Sequence, residues 1–396
     1  MAVKDSSCGW NDNEAMNQRM NNFDLIRLIA ALQVVFVHAV GHTEVLHTGS
    51  AWLLRLLDGA ILFPGVAVFF VISGFLIAGS WERSRDRPAA YFWRRGLRIY
   101  PALVVCVGVS LVALGSFGFL TKEALTSTGF WAWLVGQLSF GQFFNPDCFR
   151  GFGVGVVNGA LWTISVELQF YLLLPLLYRI VFPVGGGGSW RRWVLPASFL
   201  VSFGSFCWVD AGTNGPGGFT DAGLVSKLLF VSFLPHWWMF ALGLAIHRHF
   251  DRLAGWFAGK AMWWFAAYAT LAALRVHGLG RESGWAFYLG YLPERILLAM
   301  LTVSAAFTMR GLSSRLLAGT DISYGVYIYH FLLINILIEF GVMTTASWVP
   351  VLFLLAVLAG VVSWFGIEKR FLALKSRIPS PPSAMNRPAP VEQPEW

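Results

Sequence analysis

Ten apolar runs dominate this chain, near 24–46, 58–80, 99–120, 159–182, 193–210, 226–247, 261–277, 286–307, 321–341 and 346–366. A helix rises about 1.5 Å per residue and the hydrocarbon core of a bilayer is about 30 Å thick, so roughly 20 apolar residues make one crossing. Composition removes the soluble alternative. Of 396 residues, 56% are apolar and only 13% charged, against about 25% charged in an ordinary soluble domain. So few charges could not coat the apolar surface a soluble protein of this size would have to hide. A soluble enzyme, a disordered chain and a fibrous protein are excluded. The expected fold is all-α: a polytopic transmembrane bundle of about ten spans.

The net charge of +8 reads as topology rather than as a nucleic-acid surface, because basic residues gather in cytoplasmic loops. With the amino terminus inside and 130–144 not crossing, 21 of the 29 Lys and Arg fall in inner segments and six in outer ones. Both termini are therefore expected in the cytoplasm, and 130–144 is expected to form a re-entrant or interfacial hairpin covered by protein or a water-filled cavity. Residues 1–22 are polar with no apolar core, so the first span is expected to serve as its own insertion signal. The expected organisation is a polar segment at 1–22, a membrane domain at 23–373 and a Pro-rich disordered tail at 374–396. GGGGSWRR (185–192) lacks the Lys-Ser/Thr of a phosphate loop, and GFGVGVVNG (151–159) has no preceding strand, so neither marks a nucleotide site. Cys8, Cys106, Cys148 and Cys207 have no metal-binding or disulfide-framework spacing.

Ionisable groups inside spans mark function by default. Arg27 and His38 share the first span. Eleven residues at about 100° each return to the same face, about 16 Å along the axis. Glu167 enters the fourth span at a depth similar to that of His38. A carboxylate there needs a partner, and a His38–Glu167 pair is expected, with His38 as base and Glu167 fixing its tautomer. A structural pair holding two helices is the plain alternative. His236 and His330 also fall near mid-span, and each alone reads as a packing histidine. No two of these histidines have ligand spacing, so no metal is expected. The inner segment ERSRDRPAAYFWRRGLRIYP (82–101) holds six arginines, with Arg95 and Arg98 on one helical face and Arg94 beside them. Guanidinium forks match phosphate oxygens; anchoring on anionic lipid is the alternative.

Taken together, FDLIRLIAALQVVFVHA (23–39), VAVFFVISGFLIAGSW (66–81), YFWRRGLRIYPAL (91–103), LWTISVELQFYLLLPLL (161–177) and ISYGVYIYHFLL (322–333) resemble acyltransferase family 3. This family comprises bacterial integral-membrane proteins that O-acylate surface and secreted glycans. The resemblance runs over 23–373 and carries the family's Arg-x10-His and Arg-x-x-Arg motifs. Many members have a second acidic residue after the one matching Glu167; here that position is Leu168. The resemblance implies that His38 is the catalytic histidine with Arg27 as companion and Glu167 beside it. It implies that Arg94, Arg95 and Arg98 hold the phosphates of an acyl-CoA. It also places Ser73, Tyr329 and His330 near the site, as oxyanion or substrate contacts.

The activity so implied moves an acyl group, acetyl by default, from cytoplasmic acyl-CoA to a hydroxyl of a surface or lipid-linked glycan. No permanently bound cofactor is expected; acetyl-CoA is a donor substrate, membrane lipid a neighbour, and nucleic acid no partner. The location implied is the bacterial cytoplasmic (inner) membrane. His38 acts either as base on the acceptor hydroxyl or by taking the acyl group itself. Most of the 19 tryptophans read as interfacial belts, with Trp131 and Trp133 as candidates for stacking on sugar rings. The rival reading is a carrier or flippase for lipid-linked saccharides.

Overall fold

The computed structural model describes residues 21–41, 51–85, 87–182, 189–213, 222–278 and 285–377. Every regular element among them is helical. The segment 1–20 and the stretch from Ile378 onward lie outside the described residues; of the tail expected at 374–396, residues 374–377 belong to a 3₁₀ turn, Ala373–Arg377.

The order is α1 (Phe23–Gly41), α2 (Ala51–Leu62), α3 (Gly65–Glu82) and α4 (Pro88–Ser116). Two short helices, α5 (Lys122–Thr126) and α6 (Thr128–Gln137), precede α7 (Trp162–Val181) and α8 (Val194–Thr213). Then come α9 (Leu224–Phe230), α10 (Trp237–Arg248), α11 (Phe250–Phe257), α12 (Ala261–Gly278) and α13 (Trp285–Phe307). The last are α14 (Leu312–Leu317), α15 (Ser323–Glu339) and α16 (Trp348–Ser363), which continues through a π-helical turn at Trp364–Glu368.

Seven stretches among the described residues are long and apolar enough to cross a bilayer: 23–41, 54–82, 88–116, 159–181, 189–213, 287–307 and 348–375. α15 is a shorter apolar helix. The ten apolar runs therefore do not translate into ten unbroken spanning helices. The run at 226–247 contains Pro235 and breaks into α9 and α10, with turns between them. α12 is diluted by Trp263, Trp264, Tyr268 and Arg275. Apolarity reports avoidance of water, whereas an unbroken helix also needs every backbone N–H to find its carbonyl four residues back.

Residues 130–144 form the end of α6 and its return. Ten residues of helix reach only about 15 Å, too short to cross. Gly136 and Gly141 let the two limbs touch, since a Cβ on Gly136 would lie 2.9 Å from the Gly141 carbonyl oxygen. Ser165 Oγ on α7 donates to the Phe140 carbonyl at 2.7 Å, so the turn's backbone is satisfied by protein. Trp133 is fully buried against Phe130 and Phe149, which removes it as a sugar platform; Trp131 remains exposed. Farther on, the glycine-rich stretch 151–159 is a loop tied to α15. Asn335 accepts from Val154 N at 3.1 Å and donates to the carbonyls of Val156 and Val157 at 2.7 and 3.0 Å. Cys106, Cys148 and Cys207 are free thiols.

Helix association in a bilayer relies on close packing at small residues, because lipid tails compete equally for apolar surface. The α3–α10 crossing shows this directly. A Cβ on Gly74 would sit 2.0 Å from the Phe240 carbonyl oxygen, and one on Gly243 2.0 Å from that of Val71. Gly325 and Gly360 make a similar approach between α15 and α16, at 2.8 Å. Gly74→Val or Gly243→Val is therefore expected to abolish most of the monodisperse folded protein in detergent, read by size-exclusion chromatography. Gly204→Ala on α8, with open space around it, should leave the profile unchanged.

Candidate active site

Two polar constellations stand one above the other in the bundle. The inner one surrounds a small cavity of about 70 Å³ between α1, α3, α4, α7 and α15, with Arg27, Ser73, Arg95, Arg98 and Glu167 among its walls. At its mouth, Asp321, just before α15, receives Arg98 Nη2 and lies 3.5 Å from Arg27 Nη1. Arg27 also meets Asp24 at 3.5 Å. Asp321 Oδ1 accepts from Ser323 N at 3.3 Å. Asp321 is itself buried, so the Arg98 and Arg27 guanidiniums are what keep its carboxylate compensated there.

Glu167, on α7, accepts from the Tyr171 hydroxyl one turn along and lies 3.5 Å from Ser73 Oγ. Tyr171 in turn underlies Arg95, whose guanidinium carbon stands 5.6 Å from that ring and 6.0 Å from the ring of Tyr91. Pro175 helps build this corner. Lacking an N–H, it leaves the Tyr171 carbonyl without its helical donor, and the Tyr91 hydroxyl donates there instead, at 3.2 Å. Arg95 Nε is buried without a hydrogen-bond partner among the described residues. It is a donor waiting inside the cavity wall.

The outer constellation is a histidine pair. His38 Nδ1 and His330 Nε2 are 2.8 Å apart, with the rings nearly parallel at 14°. His330, on α15, is wholly buried, and its Nδ1 lies 2.6 Å from the Tyr327 carbonyl oxygen. That oxygen can only accept, so His330 Nδ1 carries a proton. With both rings neutral, His330 Nε2 then accepts from His38 Nδ1–H, and the lone pair of His38 resides on Nε2. Tyr327 connects the two constellations: its side chain lines the inner cavity, its carbonyl fixes His330, and its ring stands 5.8 Å from that of His330. The Tyr327 hydroxyl pairs with Thr163 Oγ1 at 2.8 Å, and Thr163 donates to the Ala160 carbonyl, so Tyr327 is the donor between them.

Several expected placements change. The partner of His38 is His330, whereas Glu167 pairs with Tyr171 and Ser73 inside the cavity. The reason is rotation: α7 turns residues 163, 167 and 171 toward the cavity, and α15 packs on α1. His38 is not among the cavity walls. Tyr329 is 200° from Tyr327 around the helix and points toward Ser363 on α16, away from the cavity. Arg94 turns outward to Ser84 Oγ at 3.1 Å. Arg95 and Arg98 do converge on the cavity, with Arg27. His236 packs against Phe70 and Trp162 and bonds the Phe230 carbonyl at 2.7 Å. Three residues that complete the site were missed: Asp321, Tyr327 and Tyr171. Asp321 had a signal, as an acidic residue directly ahead of an apolar helix, in TDISYGVY. The tyrosines had none.

This is a membrane bundle with buried guanidiniums and an imidazole pair at its centre, and comparison with known proteins defines its class. The acyltransferase domain of family 3 (Acyl_transf_3) matches residues 20–366, and the chain belongs to this acyltransferase family. It is 34% identical to Nodulation protein 10 of Rhizobium leguminosarum bv. viciae, over 83% of this chain and 87% of that protein. It is 26% identical to the O-acetyl transferase of Shigella phage Sf6, over 90% of this chain and 98% of that protein. A shorter match, 30% identical over 28% of this chain and 19% of the relative, is to the peptidoglycan O-acetyltransferase OatA of Listeria monocytogenes. No solved structure matches the chain. The protein is thus a multi-pass membrane acyltransferase.

Asp321→Asn takes the shared carboxylate from Arg98 and leaves Arg27 with Asp24 alone. With both arginine side chains still 19% exposed, the loss is expected below the roughly 3–5 kcal/mol of a fully buried pair. The expected result is a clear drop in Tm in detergent.

Proposed function

We propose that this protein transfers an acyl group, acetyl in the simplest case, from cytoplasmic acyl-CoA to a hydroxyl of a surface or lipid-linked glycan in the bacterial inner membrane. The observation that carries this reading is the hydrogen-bonded pair of His38 and His330, 2.8 Å apart, with His330 Nδ1 on the Tyr327 carbonyl. A carbonyl that can only accept sets His330, His330 sets His38, and His38 Nε2 is left with the lone pair a general base needs.

In the proposed reaction, the acceptor hydroxyl gives its proton to His38 Nε2 as its oxygen attacks the thioester carbonyl. The tetrahedral intermediate then expels the CoA thiolate, which recovers the proton from His38. His330 holds the imidazole ring and shares the charge of the imidazolium through Nε2. On the inner side, the partnerless Nε of Arg95 and the guanidiniums of Arg27 and Arg98 supply positive charge for the donor. Glu167 keeps Tyr171 and Ser73 in place; the Ser73 hydroxyl is the candidate oxyanion donor. A volume of about 70 Å³ holds about two waters and no thioester arm. Donor binding therefore requires side chains to move, foremost Phe69 and Tyr327, which meet edge to face at 5.4 Å across the cavity wall.

His38→Ala is expected to lower acyl transfer by about 10²–10⁴-fold, the usual contribution of a positioned acid–base group, in membranes with normal levels of folded protein. The readout is alkali-labile acyl groups on surface glycan; undiminished acylation refutes the assignment. CoA should raise the Tm of the purified wild type, and Arg95→Ala should remove that shift. Transport of a lipid-linked saccharide across vesicles with no acyl donor, unaffected by Arg95→Ala, would instead establish a carrier.

A further inference from the structure

A second and larger cavity, of about 1120 Å³, lies at the C-terminal ends of α3, α7 and α10 and the N-terminal end of α8, and shares no lining residue with the candidate catalytic one. Its charge is lopsided. Arg85, Arg191, Arg192 and Arg248 face a single carboxylate, Glu82, which is already engaged by His247 at 3.0 Å and by Arg248 and Tyr178 at 3.1 Å each. Nε and Nη1 of Arg191 are buried with no hydrogen-bond partner among the described residues. Buried guanidinium nitrogens without an acceptor are costly, and here two of them sit in a cavity with excess positive charge.

The remaining walls are apolar, with Leu195 and Phe199 of α8 and Leu242 of α10. On α8, Leu200 and Val201 are 64% and 62% exposed, an apolar surface suited to lipid tails. Trp190 and Trp193 are exposed beside it, with Arg191 and Arg192 over their rings at 5.3 and 5.6 Å. Indoles at the base of a lipid-facing helix mark the headgroup level. Guanidiniums, apolar walls and flanking indoles together fit one kind of molecule.

We propose that this groove seats an anionic phospholipid of the inner leaflet, its phosphate on Arg191 and Arg192 and its chains along Leu195, Phe199 and Leu242. Complementary charge selects against zwitterionic lipid, and the apolar walls of Leu195, Phe199 and Leu242 favour a lipid over a soluble phosphate. The inference is independent of the reaction proposed above.

Native mass spectrometry of the full-length protein, exchanged between phosphatidylglycerol and phosphatidylcholine micelles, tests it. The wild type should retain phosphatidylglycerol through delipidation and gain Tm from it. Arg191→Ala/Arg192→Ala should cut retention by at least about tenfold, since each basic group near an anionic lipid surface contributes on the order of a fivefold factor. Leu242→Trp, which fills the groove without changing charge, should also lose it. Removing two exposed inner charges elsewhere, Arg310→Ala/Arg315→Ala, should not. Equal retention of both lipids, or unchanged retention in both groove variants, overturns the proposal. So does displacement of the lipid by free CoA, which would assign the groove to the nucleotide end of a soluble donor.

Discussion

One carboxylate holds the inner half of this protein together. Asp321, set just ahead of α15, takes Arg98 from α4 and Arg27 from α1, so three helices meet on a single negative charge. In a bilayer a charge-compensating carboxylate lowers the cost of keeping guanidiniums inside the bundle. The same carboxylate leaves both arginines beside the cavity rather than free to snorkel toward headgroups. Ser73, Glu167 and Tyr171 gather around the space those arginines define.

Above that layer the chemistry changes from ionic to neutral. His38 and His330 are arranged by a backbone oxygen, not by a carboxylate. A neutral orienter suits this depth, since it settles the tautomer without adding a charge that would need its own partner. Tyr327 belongs to both layers.

The crossings that make such a layout feasible are steric. Gly74 and Gly243 bring α3 and α10 so close that any Cβ would strike a carbonyl oxygen. Ser73 is therefore delivered to the cavity by the same contact that its neighbour Gly74 makes on the opposite side. The SGF element is thus a packing device and a site element at once. Pro175 plays a comparable double part in α7, freeing the carbonyl that anchors Tyr91 under Arg95.

The amino-acid sequence alone determined the class, the helical character and the inward gathering of Arg27, Arg95 and Arg98, because these follow from apolar run length and from the cost of charge in lipid. It also put His38 and Glu167 on apolar helices, α1 and α7. Tertiary structure alone decided who touches whom. Helix rotation sent Glu167 to Tyr171 and Ser73, brought His330 rather than Glu167 to His38, and turned Tyr329 away while turning Tyr327 in. Depth along a span is encoded in composition, one residue at a time. The azimuth of a helix is set by its neighbours, and glycine contacts hundreds of residues apart in the chain hold no local trace of it.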